Sequence, residues 1–525
     1  MRVVPDSVSA GTAQPLPAEV DVLIVGYGPV GATLAGLLGR YGVRTLVVDR
    51  APAILNMPRA IALDNEALRI LQLVGLADDA FDKCVIPQVR MLCPYVGEFG
   101  RIATDGELDA HPKLVTFYQP ELEQALRKHA ESMPAVTAQN ATGLVRFSQH
   151  KNHVQAVLET ASGDQFEVSA RFLIGADGAN SDVRKAIGED FDGETYTEDW
   201  LVVDAFGVPG TFDHVEFICD PKRPTPHMVA PGGRTRWEFM LQPGETREQM
   251  ESEAAVTQLL STQVDIANIR IERQAVYRFH ARACNRFSKG RVFLAGDAAH
   301  ITPPFVGQGL VSGLRDAANL AWKLAWVLKE LASPTILTSY DEERRPHAAK
   351  MINLAKNMGK LVMPRNHLQA IAIHGTMMLL RKIPAVRLWT DELGAKPQNA
   401  FENGLFIPRA RHGLQGQTLP QTRMGEGSPQ GQRSDDILGD SLALVSCDGD
   451  PAAHLTETTA QLWQNIGGRS LVVPDLHSGF NPPKPSWCYV VRPDRVILHE
   501  GPVQQADSLV QASLRLLGTP AAAQW

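Results

Sequence analysis

The sequence predicts an α/β protein: a Rossmann-like dinucleotide-binding domain that carries an inserted β-sheet domain and is followed by a separate C-terminal domain. Three observations carry that prediction. Residues 20–25 are a β-branched apolar run that ends in Gly26-Tyr27-Gly28-Pro29-Val30-Gly31, a G-x-G-x-x-G turn opening a small-residue helix. The strand-then-polar-turn design recurs at 171–184 and again at 291–310. Between these two, runs such as 200–204 and 236–241 alternate like strands of a sheet with one buried face.

Each glycine of the first turn has its own reason. Gly26 permits the tight turn, Gly28 lets a pyrophosphate approach the backbone, and Gly31 lets helix pack on strand. Pro29 and Val30 complete the loop, and the helix N-terminus supplies amides to the ligand. The second strand, 44–49, ends in Asp49, roughly 20 residues past the glycines, where a carboxylate in such folds binds the ribose. Arg50 follows at the same rim and joins the candidate cofactor contacts.

Composition bounds the rest. At 525 residues the chain exceeds one ordinary domain, and 44% hydrophobic against 21% charged residues is the balance of a globular protein. A formal net charge of -7 without a basic stripe argues against a nucleic-acid partner. The six cysteines are scattered with no C-x-x-C pair, which argues against a bound metal and for reduced packing thiols. The apolar stretch 22–38 is broken by Gly26, Gly28, Pro29 and Gly31, so it reads as strand, turn and helix, and no membrane span is expected. Residues 1–19, with Pro5, Pro15 and Pro17 and no apolar h-region, are expected to be a flexible leader of a cytoplasmic protein.

The glycine turn, Asp177-Gly178 and Gly296-Asp297, in this order, resemble the marks of the class A flavoprotein monooxygenases, whose FAD-binding domain is of the p-hydroxybenzoate hydroxylase type. Stretches 58–69, 219–224, 237–240 and 243–245 look closer still to the 3-(3-hydroxyphenyl)propionate hydroxylase group. The resemblance implies bound FAD, NADH or NADPH and O2 as co-substrates, and a small phenol hydroxylated through a C4a-hydroperoxyflavin. The protein's own share is then to position the phenol and exclude water. For this chain the resemblance implies Asp297 at the flavin ribityl chain, Pro304 beside the reacting ring, Arg59 near the FAD phosphates and Gln119 at a cofactor-facing helix start. Asp177, with Arg184 in the same segment, would serve FAD and transient NAD(P)H. Gly307, Gly309, Leu310 and Val311 would form the turn and helix start beside the flavin; Val311 stands where many relatives carry asparagine, leaving backbone amides to serve.

Besides Pro304, His300 and His227 are candidate catalytic groups, although a histidine at a strand-to-helix turn is more often structural. Arg223, His227 and Arg236, with Trp237 and Phe239, are candidate substrate contacts in the inserted sheet, where a cation would pair with a carboxylated substrate tail. The expected domains are the FAD-binding domain over 20–190, including strands of the substrate domain near 86–104, the substrate sheet over 191–279, and the FAD domain's second part with a helical connection over 280–400. A thioredoxin-like domain follows over 401–525, suggested by Arg492-Pro493-Asp494 and read as structural because it lacks C-x-x-C. Apolar helix faces between 351 and 380 suit an interdomain contact or a homodimer. The alternatives are another flavin monooxygenase reaction, such as epoxidation or Baeyer–Villiger oxidation, and a non-catalytic flavin-binding protein. The second nucleotide fingerprint and F-x-G-x-x-x-H signature of Baeyer–Villiger enzymes are absent, as is the W-x-W-x-I-P of flavin halogenases.

Overall fold

The computed structural model describes residues 16–56, 59–210, 212–391, 397, 399–408, 413–425, 431–474, 476 and 484–519. Residues 1–15 of the expected leader and Pro58 of the arginine loop lie outside the described residues.

The β-branched runs that the sequence marks as buried form a central parallel sheet. Its order is 136–139, 45–48, 19–25, 165–175 and 292–294, with every neighbouring pair parallel. Val22, Leu23, Ile24, Leu46, Val47, Leu173 and Ile174 are fully buried in it, as expected of strands covered on both faces. The long strand Gln165–Gly175 also pairs, antiparallel, with Val154–Thr160. Helix Pro29–Arg40 crosses between the first two parallel strands, with Gly31 to Leu38 buried.

A second sheet of eight strands runs in the order 300–301, 270–284, 191–206, 234–240, 225–230, 215–218, 88–93, 97–103. Its two faces have different partners. Leu201, Val203, Trp237, Phe239 and Val276 pack with Val256 and Leu260 of helix Glu253–Ser261. The opposite face turns to the dinucleotide unit: Trp200 and Met240 pack with Phe305, and Arg236 Nη1 donates to the carbonyl of Arg59 at 3.2 Å.

The C-terminal region holds a four-stranded sheet ordered 469–472, 443–446, 487–491, 497–502, parallel in its first pair and antiparallel in the others, followed by helix Ala506–Leu517. Leu442, Leu444, Val490, Leu498 and Leu514 of this region belong to the same apolar core as Leu23, Leu46 and Trp322.

Candidate active site

Four strand ends define the site. Val48, Val25, Gly175 and Leu294 stand side by side in the parallel register, so the turns after them begin from one line at the carboxyl edge of the sheet. Backbone bonds lock this edge: Gly26 N donates to Val48 O at 2.8 Å, Ala176 N to Val25 O at 2.8 Å, and Ala295 N to Gly175 O at 2.9 Å. The carboxyl edge is where open α/β sheets bind their ligands. Segments separated by more than a hundred residues, carrying Gly26-to-Gly31, Asp177 and Asp297, are thus neighbours.

The residues fit a dinucleotide. A Cβ on Gly26 would lie 2.3 Å from Ala176 O and one on Gly31 2.0 Å from Gly26 O, while one on Gly28 would meet nothing within 4 Å. Two glycines are therefore required by packing, and Gly28 alone keeps an open approach to the helix start at Pro29. Val30 serves packing through its side chain, since a Cβ on Gly313 would meet Val30 Cγ2 at 2.6 Å and one on Gly296 would meet it at 3.0 Å. Asp49 Oδ2 accepts from Tyr27 N at 2.7 Å and Oδ1 from Ala51 N at 2.8 Å, which orients the carboxylate at the rim beside exposed Arg50. Gln119 Oε1 accepts from the amides of Arg59 and Ala60, both at 2.9 Å, so its described role is to hold the arginine loop.

Asp297 lies in the short turn Gly296–Ala298 with its side chain 40% exposed; its nearest cation is Arg59, whose Nη1 is 4.0 Å away. An acceptor facing open space at this edge suits a ligand hydroxyl. Half-buried Pro304 opens the turn Pro304–Val306, Gly307 closes it at φ 63°, and helix Gly309–Leu328 follows. Its first intrahelical amide bond is Ser312 N to Gln308 O, so the amides of Gly309, Leu310 and Val311 have no acceptor within the helix. Gln308 is fixed beneath them: Nε2 donates to Asp64 Oδ2 at 2.9 Å, and Oε1 accepts from Arg315 Nη1 at 2.9 Å.

Asp177 and Arg184 hold the scaffold. Asp177 Oδ2 accepts from the amides of Asp182 and Val183, at 2.8 and 3.2 Å, and so caps a helix start. Its Oδ1 is buried with no hydrogen-bond partner among the described residues, an orphan acceptor beside the glycine turn. Arg184 donates to Ala298 O at 3.0 Å and Ala179 O at 2.8 Å, tying the second motif to the third.

His300, expected as a catalytic group, lies in a buried ion-pair network. It is 1% exposed, and its Nε2 lies 2.7 Å from Asp316 Oδ2. Asp316 also accepts from Arg344 Nε at 2.8 Å and from Gly296 N at 3.0 Å. Burial alone would raise the Asp316 carboxyl, but His300 and Arg344 hold it below the ordinary range. The acid therefore remains an anion that anchors the Gly296-Asp297 turn, and His300 steadies that anchor. Replacing His300 by glutamine is expected to cost about 1–2 kcal/mol in urea unfolding while leaving turnover near normal. Loss of turnover at unchanged stability would return His300 to catalysis.

The other expected contacts lie on or beside the eight-stranded sheet. His227 stands opposite Trp237 and Glu216 on the face away from Pro304, where its ring is 4.3 Å from that of Phe212. Burial lowers its pKa to about 4. Trp237 and Phe239 share that face and are core residues under helix Glu253–Ser261. Arg223 pairs with Glu245 at 2.5 Å and donates to Met240 O at 2.9 Å, which fastens a turn. Arg236, 2% exposed, forks onto Asp204 at 2.7 and 3.0 Å. The face turned toward Pro304 carries Arg236, an expected contact, together with Trp200, Val202, Asp204, Glu238, Met240, Arg273, Ala275, Tyr277 and Phe279, which sequence reading did not select.

The chain is similar to known proteins in both sequence and structure. A family model for the FAD binding domain matches residues 19–355, and one for the HcaD C-terminal domain matches 416–486. The chain is 35% identical over 468 residues, covering 87% of itself and 84% of the relative, to the 3-(3-hydroxy-phenyl)propionate/3-hydroxycinnamic acid hydroxylase of Escherichia coli K12. In structure it is similar to the flavin-dependent monooxygenase PieE, solved with FAD and substrate, at TM-score 0.79 and 21% identity, covering 95% of this chain and 99% of that one. It is also similar to p-nitrophenol 4-monooxygenase PnpA of Pseudomonas putida DLL-E4, at TM-score 0.63 and 26% identity over 70% of this chain and 96% of that one. With its glycine turn, its aligned strand ends and relatives matched over most of their length, the chain belongs to the FAD-dependent aromatic hydroxylases, flavoprotein monooxygenases built on the FAD binding domain.

Proposed function

We propose that this enzyme hydroxylates a small phenol with a carboxylated side chain, 3-(3-hydroxyphenyl)propionate or a near analogue, using NAD(P)H and O2. The observation that carries this reading is the facing of the Asp297 and Pro304 turns by an aromatic-rich sheet surface. Trp200 meets Phe305 edge-on at 5.7 Å and stacks on Phe279 at 5.6 Å beside Met240. The substrate class is supported by the relative's name.

FAD supplies the redox chemistry when bound. This chain's residues hold and enclose it. Gly28, Pro29 and the amides after them receive the pyrophosphate, Asp49 the adenosine ribose, and Arg59, presented by Gln119, the phosphates. Asp297 accepts from the ribityl chain, and the amides at Gly309, Leu310 and Val311 stabilise electron-rich ring atoms. Phe305, 3% exposed, and Trp200, fully buried, keep water from the reacting face.

The test is direct. The purified protein should be yellow, should oxidise NAD(P)H faster with a phenol than without, and should release a product carrying one atom from labelled O2. A flavin-loaded protein that turns over no phenol in a broad panel overturns the substrate reading.

The reading includes a homodimer. Its support is the row Leu368, Ile371, Leu379, Leu380, Ile383 and Leu388, left 44–71% exposed on two consecutive helices and the turn between them. Light scattering at the mass of one chain overturns that part. The cytoplasm is its compartment, supported by six free cysteines. No helix among the described residues is long and apolar enough to cross a membrane.

A further inference from the structure

Helix Ser339–Val362 carries a buried glycine, Gly359, in its last turn. Glycine weakens a helix relative to alanine because it gives the unfolded chain more backbone freedom, so a buried one calls for a close neighbour. Here the neighbour is an aromatic ring. A Cβ on Gly359 would lie 2.9 Å from Phe305 Cε2, 3.0 Å from Phe305 Cδ2 and 3.3 Å from Tyr196 Oη. Carbon atoms rest about 3.5–4.0 Å apart, so an added methyl demands a movement of roughly 0.5–1 Å.

The helix is poorly placed to give way. Ala355 and Val362, on the same helix face as Gly359, are fully buried, and Lys356 pairs with Glu194 at 3.0 Å. The ring is equally enclosed: Phe305 is 3% exposed, and Tyr196, Trp200 and Phe279 meet it edge-on at 5.8, 5.7 and 6.1 Å. Met358 and Leu361 of the helix pack in the same cluster as these rings. Phe305 sits in the turn Pro304–Val306, which Gly307 N closes by donating to Pro304 O at 2.9 Å. A push on the ring is therefore passed to Pro304, its immediate neighbour in the chain.

We propose that Gly359 is a positioning residue for oxygenation: the missing side chain at this point of the helix sets where Phe305 stands and, through Phe305, how the Pro304 turn meets the reacting ring. The assignment rests on the phenol-hydroxylase reading above. Gly359 acts through Phe305 and needs no contact with substrate or flavin.

The test compares FAD-loaded wild type, Gly359→Ala, Phe305→Leu and the double variant, with 3-(3-hydroxyphenyl)propionate as the phenol. A misplacement of about 1 Å can cost up to about a hundredfold in rate, and product formed per NAD(P)H consumed is expected to fall about tenfold in Gly359→Ala. FAD per chain and melting temperature should stay at the wild-type values, and kcat should fall more than KM rises. In the Phe305→Leu background, where the shorter side chain leaves room for the methyl, the same change should have no further effect on product yield or on the flavin difference spectrum induced by the phenol. The spectrum decides if Phe305→Leu forms too little product to compare. Wild-type yield in Gly359→Ala overturns the assignment. Equal loss in both backgrounds also overturns it, by marking an effect of the helix alone, and so does a loss that tracks melting temperature. If wild type itself hydroxylates no phenol, the functional reading fails first and takes this assignment with it.

Discussion

Replacing Asp297 by alanine is expected to give a folded protein that leaves gel filtration colourless. The carboxylate, proposed to bind the ribityl chain, has few structural duties: its side chain is 40% exposed, and its ion pair among the described residues, with Arg59, is at 4.0 Å. Removing a side chain of this kind costs the fold about 0.5 kcal/mol or less. A charged acceptor bonded to a ligand hydroxyl contributes about 1.5–3 kcal/mol, so FAD affinity should fall by roughly ten- to more than a hundredfold. Asp297→Asn, which keeps an acceptor oxygen without the charge, should lie between. The measurement is flavin absorbance per chain after desalting, with the melting temperature of the flavin-free proteins as control. Full flavin occupancy in the alanine variant would show that the ribityl chain is held elsewhere. A collapse in melting temperature would show that Asp297 belongs with Asp316 to the scaffold.

The contrast between these two acids shows what local sequence can reveal. Asp297 was readable because a strand end, a glycine with φ 59° and an exposed acid follow one another within a few residues. The glycine turn was readable for the same reason, since the contacts that forbid a Cβ at Gly26 and Gly31 arise from a tight local turn and its neighbour strand. Asp316 and His300 are 16 residues apart, and Arg236 and Asp204 are 32 apart; nothing in their immediate surroundings announces the pairing. The period of two in strand 234–240 separates two faces but carries no label for which one turns toward Pro304. Trp237 and Phe239 therefore attracted attention as aromatic groups, whereas Trp200, Tyr277 and Phe279 were set opposite Pro304 by pairing over some eighty residues. The Gly- and Pro-rich composition from 401 suggested a separate domain, and composition gives no sign that Leu444 and Val490 enter the main core.

Charge inside that shared core gives the second large effect. Helix Gly309–Leu328 starts just after the Pro304–Val306 turn and carries Asn319 and Lys323 into the interior, where Glu343 gathers four partners. Arg492, from the C-terminal sheet region, forks onto both oxygens of Glu343 at 2.6 and 3.0 Å; Lys323 Nζ approaches at 2.8 Å, Asn319 Nδ2 at 2.6 Å and Leu405 N at 2.7 Å. Burial would push the Glu343 carboxyl up, but Arg492 and Lys323 outweigh it and hold the group well below its usual range. Glu343→Leu leaves two cations buried beside an apolar side chain, and breaking a buried pair in this way costs about 3–5 kcal/mol. Arg492→Met should cost less, because Glu343 keeps Lys323 and Asn319. The pH dependence has a definite sign. A carboxyl depressed in the folded state stabilises above its unfolded value, near 4.5, and that contribution disappears as pH falls through the folded value. The gap in urea-unfolding free energy between wild type and Glu343→Leu should therefore be full at neutral pH and shrink once the solution falls well below about pH 4. A gap that stays constant into acid would mean that lost packing, not lost charge, accounts for the effect. Because the same helix begins at Gly309, Leu310 and Val311, the residues proposed to face the cofactor, Glu343→Leu should also release FAD at lower urea than wild type, linking the C-terminal region to flavin retention.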